Sequence, residues 1–176
     1  MINPRLETAR LILRPPVEED LDGWASLDAD ARAVGFIGGL RTRNQAWMDM
    51  ATAAGMWSLR GCGLFSVLEK DTSLWVGRVG PWLPEGAIGT EIGWAISPTT
   101  WGKGYATEAA RAAMAWAFDH LRWAEVIHCI DAPNTASIAV AERLGSAWLR
   151  VAHEADGKEI QVYGQSRDTW RMATAD

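Results

Sequence analysis

Trp101-Gly102-Lys103-Gly104-Tyr105-Ala106-Thr107-Glu108 is the stretch whose reading decides the fold. Before it, Thr90-Glu91-Ile92-Gly93-Trp94-Ala95-Ile96 has the composition of a strand, and Ser97-Pro98 halts it. After it, from about Gly104 to Leu121, Ala106, Ala109, Ala110, Ala113 and Ala117 lie on one side of a helix, small enough to rest close against a sheet. A strand therefore passes through a glycine-rich turn into a helix. A helix start presents unpaired N–H donors and the positive end of the macrodipole, and both suit a pyrophosphate. Gly102 and Gly104 remove the Cβ atoms that would hold phosphate oxygens off the backbone, and Lys103 adds positive charge. Each charge-assisted bond to such an oxygen contributes on the order of 1.5–3 kcal/mol.

A glycine-rich turn alone reads equally well as an ordinary helix start. Other phosphate motifs fit worse. The G-x-x-x-x-G-K-[ST] loop is absent, and the dinucleotide fingerprint needs a third glycine where Thr107 stands.

Working outward, Arg10-Leu-Ile-Leu-Arg14 reads as a first strand stopped by Pro15-Pro16. Val17 to Leu27 reads as a helix with acidic residues in its first turn. Thr42 or Asn44 caps a second helix towards Leu59, with Trp47, Met50, Ala51 and Ala54 at helical spacing. Residues 63–69 and 74–80 form a hairpin around Lys70-Asp71-Thr72-Ser73. Glu125–Ile130 is a strand, Thr135 to Leu144 a helix ended by Gly145, and two closing strands lie near 147–153 and 159–166. The order predicts a mixed α/β sheet with helices on both faces, in a single domain over residues 1–176.

Composition narrows the function classes. The chain has 176 residues and a formal net charge of −5, which lacks the basic footprint that nucleic-acid binding needs. No apolar run approaches a membrane span, and no signal pattern precedes the first strand, so the expectation is a cytoplasmic protein that binds neither nucleic acid nor membrane. Cys62 and Cys129 have neither C-x-x-C nor metal-ligand spacing, and no metal site is expected. Of the eleven tryptophans, Trp75, Trp82, Trp94 and Trp148 sit in strand-like runs and are expected to pack between sheet and helix.

The segment Trp101-Gly-Lys-Gly104-Tyr-Ala106 resembles the acyl-CoA-binding motif of the GNAT N-acetyltransferases, Q/R-x-x-G-x-G/A, with Trp where Gln or Arg is commoner. Glu7-Thr-Ala-Arg10-Leu11, Glu91-Ile-Gly93-Trp94, Thr107-Glu108-Ala109-Ala110, Asn134-x-x-Ser137 and Glu142-Arg-Leu-Gly145 are similar to the RimJ/RimL-like branch, in the same order along nearly the whole chain. The resemblance implies the GNAT fold, a mostly antiparallel central sheet splayed between its fourth and fifth strands. It implies acetyl-CoA as cosubstrate and transfer of its acetyl group to a primary amine, either a protein N-terminus or a small amine, through a tetrahedral intermediate. A non-catalytic acyl-CoA sensor is the competing implication. Homodimers are common in the branch.

By the same resemblance, Trp94, Ala95, Ile96, Asn134 and Ser137 hold the pantetheine and acetyl group, and the amides of Trp101, Gly102, Lys103, Gly104, Tyr105, Ala106 and Thr107 hold the pyrophosphate. Tyr105 is expected to pack over the cofactor. Glu91 is the candidate base, and a carboxylate partly buried beside aromatics has its pKa raised. The tyrosine that many relatives use as acid is replaced here by Ala141, and the resemblance to the RimL-like branch implies Ser137 as the acid in its place. Ser146 stands where the family has Phe or Met, and puts the packing after Gly145 in question. His128 reads as a structural strand histidine.

Overall fold

Apolar alternation in the first strand and in the segments after Gly63 builds one sheet, to which the helices add two flanking layers. The computed structural model describes residues 4–154 and 156–174. Along the chain come β1 (Leu6–Glu7), β2 (Leu11–Arg14), α1 (Leu21–Asp28), α2 (Ala31–Val34), α3 (Arg43–Arg60), β3 (Phe65–Glu69), β4 (Trp75–Trp82) and β5 (Glu91–Ile96). There follow α4 (Tyr105–Trp116), β6 (Glu125–Ile130), α5 (Thr135–Arg143), β7 (Ala147–His153), β8 (Glu159–Ser166) and α6 (Arg167–Thr174). The sheet has eight strands in the order β1-β2-β3-β4-β5-β6-β8-β7. All pairs are antiparallel except β5 with β6, which run parallel and register at Glu91 opposite Ile127.

That parallel pair is the expected splay, displaced by one strand number because β1 precedes the segments that sequence patterning finds. Ile127 N–H donates to the Thr90 carbonyl at 3.0 Å, and the Thr90 hydroxyl reaches the Glu125 carbonyl at 2.7 Å. Past Glu91 the two strands part and leave a cleft between their C-terminal halves.

One core lies between the sheet and α4, where Ala109, Ala110, Ala113 and Met114 meet Leu11, Phe65, Val76, Val79 and Ile92. Trp24 of α1 with Met50 and Ala53 of α3 packs on the other face. The expected stripe on α3 is out of phase. Ala46, Met50, Ala53, Met56 and Trp57 are buried, while Trp47 is half-exposed and Ala51 faces solvent. Met50 and Ala53 pack with Trp24 of α1, and this contact fixes which side of α3 is buried. Thr42 caps α3, as expected, with the Gln45 side chain returning to the Thr42 N–H at 2.9 Å. The acidic turn ahead of α1 is a 3-10 turn whose Asp20 pairs with Arg14 at 2.7 Å. Trp148 is 54% exposed on edge strand β7 and packs under no helix. Tryptophans that do fill the core are Trp24, Trp57, Trp116 and Trp170.

Candidate functional site

The turn before α4 is shaped for an anion. Gly102 and Gly104 both adopt φ of +79°, a left-handed conformation that side chains rarely take. Nothing lies within 4 Å of where a Cβ on Gly102 would stand. Gly104 is the N-cap of α4 and supplies no side-chain cap. Glu108 N–H makes the first intrahelical bond, 3.1 Å to the Gly104 carbonyl, so the amides of Tyr105, Ala106 and Thr107 precede the ladder. An uncapped helix start behind two Cβ-free residues fits a pyrophosphate.

Side-chain charge at this turn is balanced rather than positive. Lys103 Nζ lies 3.4 Å from Glu69 Oε1. Glu69 also accepts from Thr72 and from the Tyr105 hydroxyl, and these bonds hold its carboxyl down at about 2. Arg10 pairs with Glu108 at 2.6 Å, and Glu108 further accepts from the Thr8 hydroxyl at 2.6 Å and the Arg10 N–H at 2.9 Å. Two motifs about a hundred positions apart in sequence are thus one structural clasp between the β1–β2 turn and α4. Tyr105, expected over the cofactor, is 5% exposed and donates its hydroxyl to Glu69. Trp101 remains 51% exposed, and its indole N–H fastens the turn to the Ile96 carbonyl at 2.8 Å.

The cleft between β5 and β6 is lined by Glu91, Gly93, Trp94, His128, Asn134 and Ser137, with an empty volume of about 450 Å³. Main-chain alternation decides which groups face it. The carbonyls of Ile92 and Ile96 point to the cleft side, where His128 and Trp101 bind them, so Trp94 shares that edge. Ala95 points its polar groups towards β4, where it lies opposite Arg78. Asn134 Oδ1 accepts from Ser137 N–H at 3.2 Å and caps α5. The Trp94 indole N–H donates to Ser137 Oγ at 3.3 Å. An indole nitrogen can only donate, so the Ser137 hydroxyl proton is left to point elsewhere.

A larger open groove of about 1470 Å³ adjoins the cleft, with Trp24, Phe36, Asp49, Arg78, Trp82 and Glu154 among its walls. Glu91, Gly93, Trp94 and Cys129 line both spaces, which makes Glu91 the carboxylate at their junction. A Cβ on Gly93 would stand 3.7 Å from Glu91 Oε1, so glycine there keeps the carboxylate uncovered on its own strand face. Burial pushes the Glu91 pKa up to about 7, against hydrogen bonds from the Cys129 N–H and thiol that pull it down. The Cys129 thiol is itself pushed up to about 12, by burial and then by the charge of Glu91. Across the groove, Arg78 holds the buried Asp28 at 2.8 and 3.0 Å and stacks 4.5 Å from the Trp24 ring.

Sequence reasoning missed the pair Phe36 and Ile37, which border both spaces, and the Asp28–Arg78 pair at the groove wall. It named His128 and Ser146 singly but missed that they join Gln165 in one polar set behind the cleft. Ser146 is 4% exposed and sits between His128 and Gln165, which answers the doubt raised by its departure from Phe or Met. A polar residue interrupting an apolar strand, as His128 does in Glu125–Ile130, is the signal that marks this set.

Comparison with known proteins agrees with this geometry. A family model described as acetyltransferase (GNAT) domain matches residues 10–147. The uncharacterized protein YkkB of Bacillus subtilis is 30% identical over 90% of this chain and 94% of its own length. The FsC-acetyl coenzyme A-N(2)-transacetylase of Aspergillus fumigatus is 34% identical over 81% of this chain and 64% of its own. A solved acetyltransferase from Agrobacterium tumefaciens superposes with a TM-score of 0.86 at 28% identity, covering 95% of this chain and 96% of that one. The chain belongs to the GNAT acetyltransferase family, whose members transfer an acyl group from acetyl-CoA.

Proposed function

We propose that the protein is an N-acetyltransferase that moves the acetyl group of acetyl-CoA onto a primary amine by direct attack. In this reading the pyrophosphate rests on the amides from Gly102 to Thr107, and the pantetheine arm follows the Trp94–Ile96 edge into the cleft. The amine arrives through the adjoining groove. Its nitrogen bonds to the thioester carbonyl carbon, the carbon–sulfur bond breaks, and the ammonium proton passes to Glu91. The departing thiolate takes a proton by way of Ser137.

One observation carries the reading: Glu91 stands where the cleft and the groove meet, with its pKa pushed up to about 7. A carboxyl near neutrality is half ionised at working pH and can both accept and return a proton. We further infer a RimJ/RimL-like affinity, supported by the clasp of Thr8 and Arg10 with Glu108 and by the Asn134 cap on Ser137. The acceptor class within that reading is a protein N-terminus or a small amine.

Thiol release from acetyl-CoA in the presence of a panel of amines tests the proposal. Amine-dependent release is expected. Saturable acetyl-CoA binding with no release on any amine or N-terminal peptide would favour a sensor instead.

A further inference from the structure

Where β5 and β6 part, the main chain loses ladder partners and something else has to satisfy it. Ile92 follows the last registered residue of β5, and His128 Nδ1 meets its carbonyl at 2.8 Å. A carbonyl only accepts, so Nδ1 carries the proton. Nε2 therefore accepts from the Ser146 hydroxyl at 3.0 Å. Gln165 closes the set, donating to Ser146 Oγ at 3.1 Å and to the Leu144 carbonyl at 2.8 Å. His128, Ser146 and Gln165 are 1%, 4% and 7% exposed. The imidazole lies 4.8 Å from the Trp94 ring, and the Trp94 N–H in turn holds Ser137. Ladder-bonded strands lie about 4.8 Å apart, too close to admit an imidazole between their edges.

We infer that His128 is a positioning residue, a strut that replaces the sheet hydrogen bond lost at the parting, fixes the width of the cleft and orients Trp94 and Ser137. The inference rests on the acyl-CoA reading of the cleft. At 1% exposed, His128 acts through the strand and the indole it supports rather than on the amine or thioester itself. Ser146 fits this role where Phe or Met would not, because only a hydroxyl donates to Nε2 while accepting from Gln165.

Calorimetry with two ligands separates a strut from a merely structural histidine. Acetyl-CoA fills both the turn and the cleft, whereas adenosine 3′,5′-bisphosphate, its nucleotide portion, stops short of the cleft. His128→Phe is expected to weaken acetyl-CoA about tenfold or more and leave the bisphosphate within about twofold. His128→Asn, whose amide can still donate to the Ile92 carbonyl, should hold acetyl-CoA within about threefold of the parent. Ser146→Ala, which removes only the Nε2 partner, should weaken acetyl-CoA by about threefold to tenfold and spare the bisphosphate. Equal weakening of both ligands, or parent-like acetyl-CoA affinity in a folded His128→Phe, overturns the inference. If His128→Phe does not fold, unchanged acetyl-CoA affinity in Ser146→Ala overturns it. A parent that binds the bisphosphate but gains nothing from the acetyl-pantetheine arm strikes the reading of the cleft, and the strut with it.

Discussion

At Glu91 the local environment, more than the residue type, sets the protonation. Burial raises its pKa to about 7, so the ionised fraction grows through neutrality and kcat/KM is expected to rise with pH across that value. Glu91→Gln should lower kcat by about 10²–10⁴-fold and remove this limb from the pH profile. An unaltered profile would make Glu91 a bystander. The same shift has a stability consequence of opposite direction. A carboxyl whose folded pKa is raised from 4.5 to about 7 favours the fold while protonated, and that contribution is lost as pH rises through 7. Glu91→Gln is therefore expected to gain on the order of 1–3 kcal/mol over the parent at pH 8 relative to pH 5, read by denaturant unfolding. Across the groove, Arg78→Ala leaves Asp28, 1% exposed, without its counter-charge and should cost about 3–5 kcal/mol in the same assay. Glu91 was singled out beforehand by the resemblance, as the carboxylate at the start of that strand. Its junction with the groove was not, because Phe36 and Cys129 come from distant parts of the chain.

Among the elements, α4 joins fold and site through one helix. Its buried residues include Ala109, Ala110 and Ala113, each 0% exposed, so a larger side chain at these positions has no space. Ala113→Leu should destabilise by about 1–3 kcal/mol through overpacking, measured by thermal melting. At the other end of the helix, Gly104→Ala places a Cβ at φ of +79°, which should cost about 1–2 kcal/mol. The alanine face was legible because small residues at helical spacing suit a helix laid close on a sheet, and the turn was legible only with the motifs that flank it, since two glycines alone fit any helix start. Strands β6, β7 and β8 were legible for a similar reason, being bounded by turn residues. On α3 the signal misled, since Trp47 suggests a buried face that the packing of Met50 and Ala53 with Trp24 of α1 turns away from it. Trp148 misled likewise, because no periodicity tells an edge strand from a central one. Nor could spacing reveal that Thr8 and Arg10 exist to hold Glu108.

For the molecule as a whole, the parting of β5 from β6 makes one sheet serve as both scaffold and cleft wall, and the closure of that parting by buried polar groups sets its acid tolerance. His128 is held neutral, its pKa lowered by burial from 6.5 to about 4. Its contribution to stability is complete above 6.5 and is lost as pH falls through 4, up to about 3 kcal/mol. The stability difference between the parent and His128→Asn should accordingly shrink between pH 6.5 and 4. A pH-independent difference would mean that the ring is not buried neutral. The central claim, that the turn into α4 and the adjoining cleft hold acetyl-CoA, meets its most direct test in a calorimetric titration of acetyl-CoA into the parent and into Gly104→Glu. Saturable binding at one site per chain, abolished by the substitution that fills the turn with bulk and negative charge, is the expected result; equal binding in both proteins would contradict the claim.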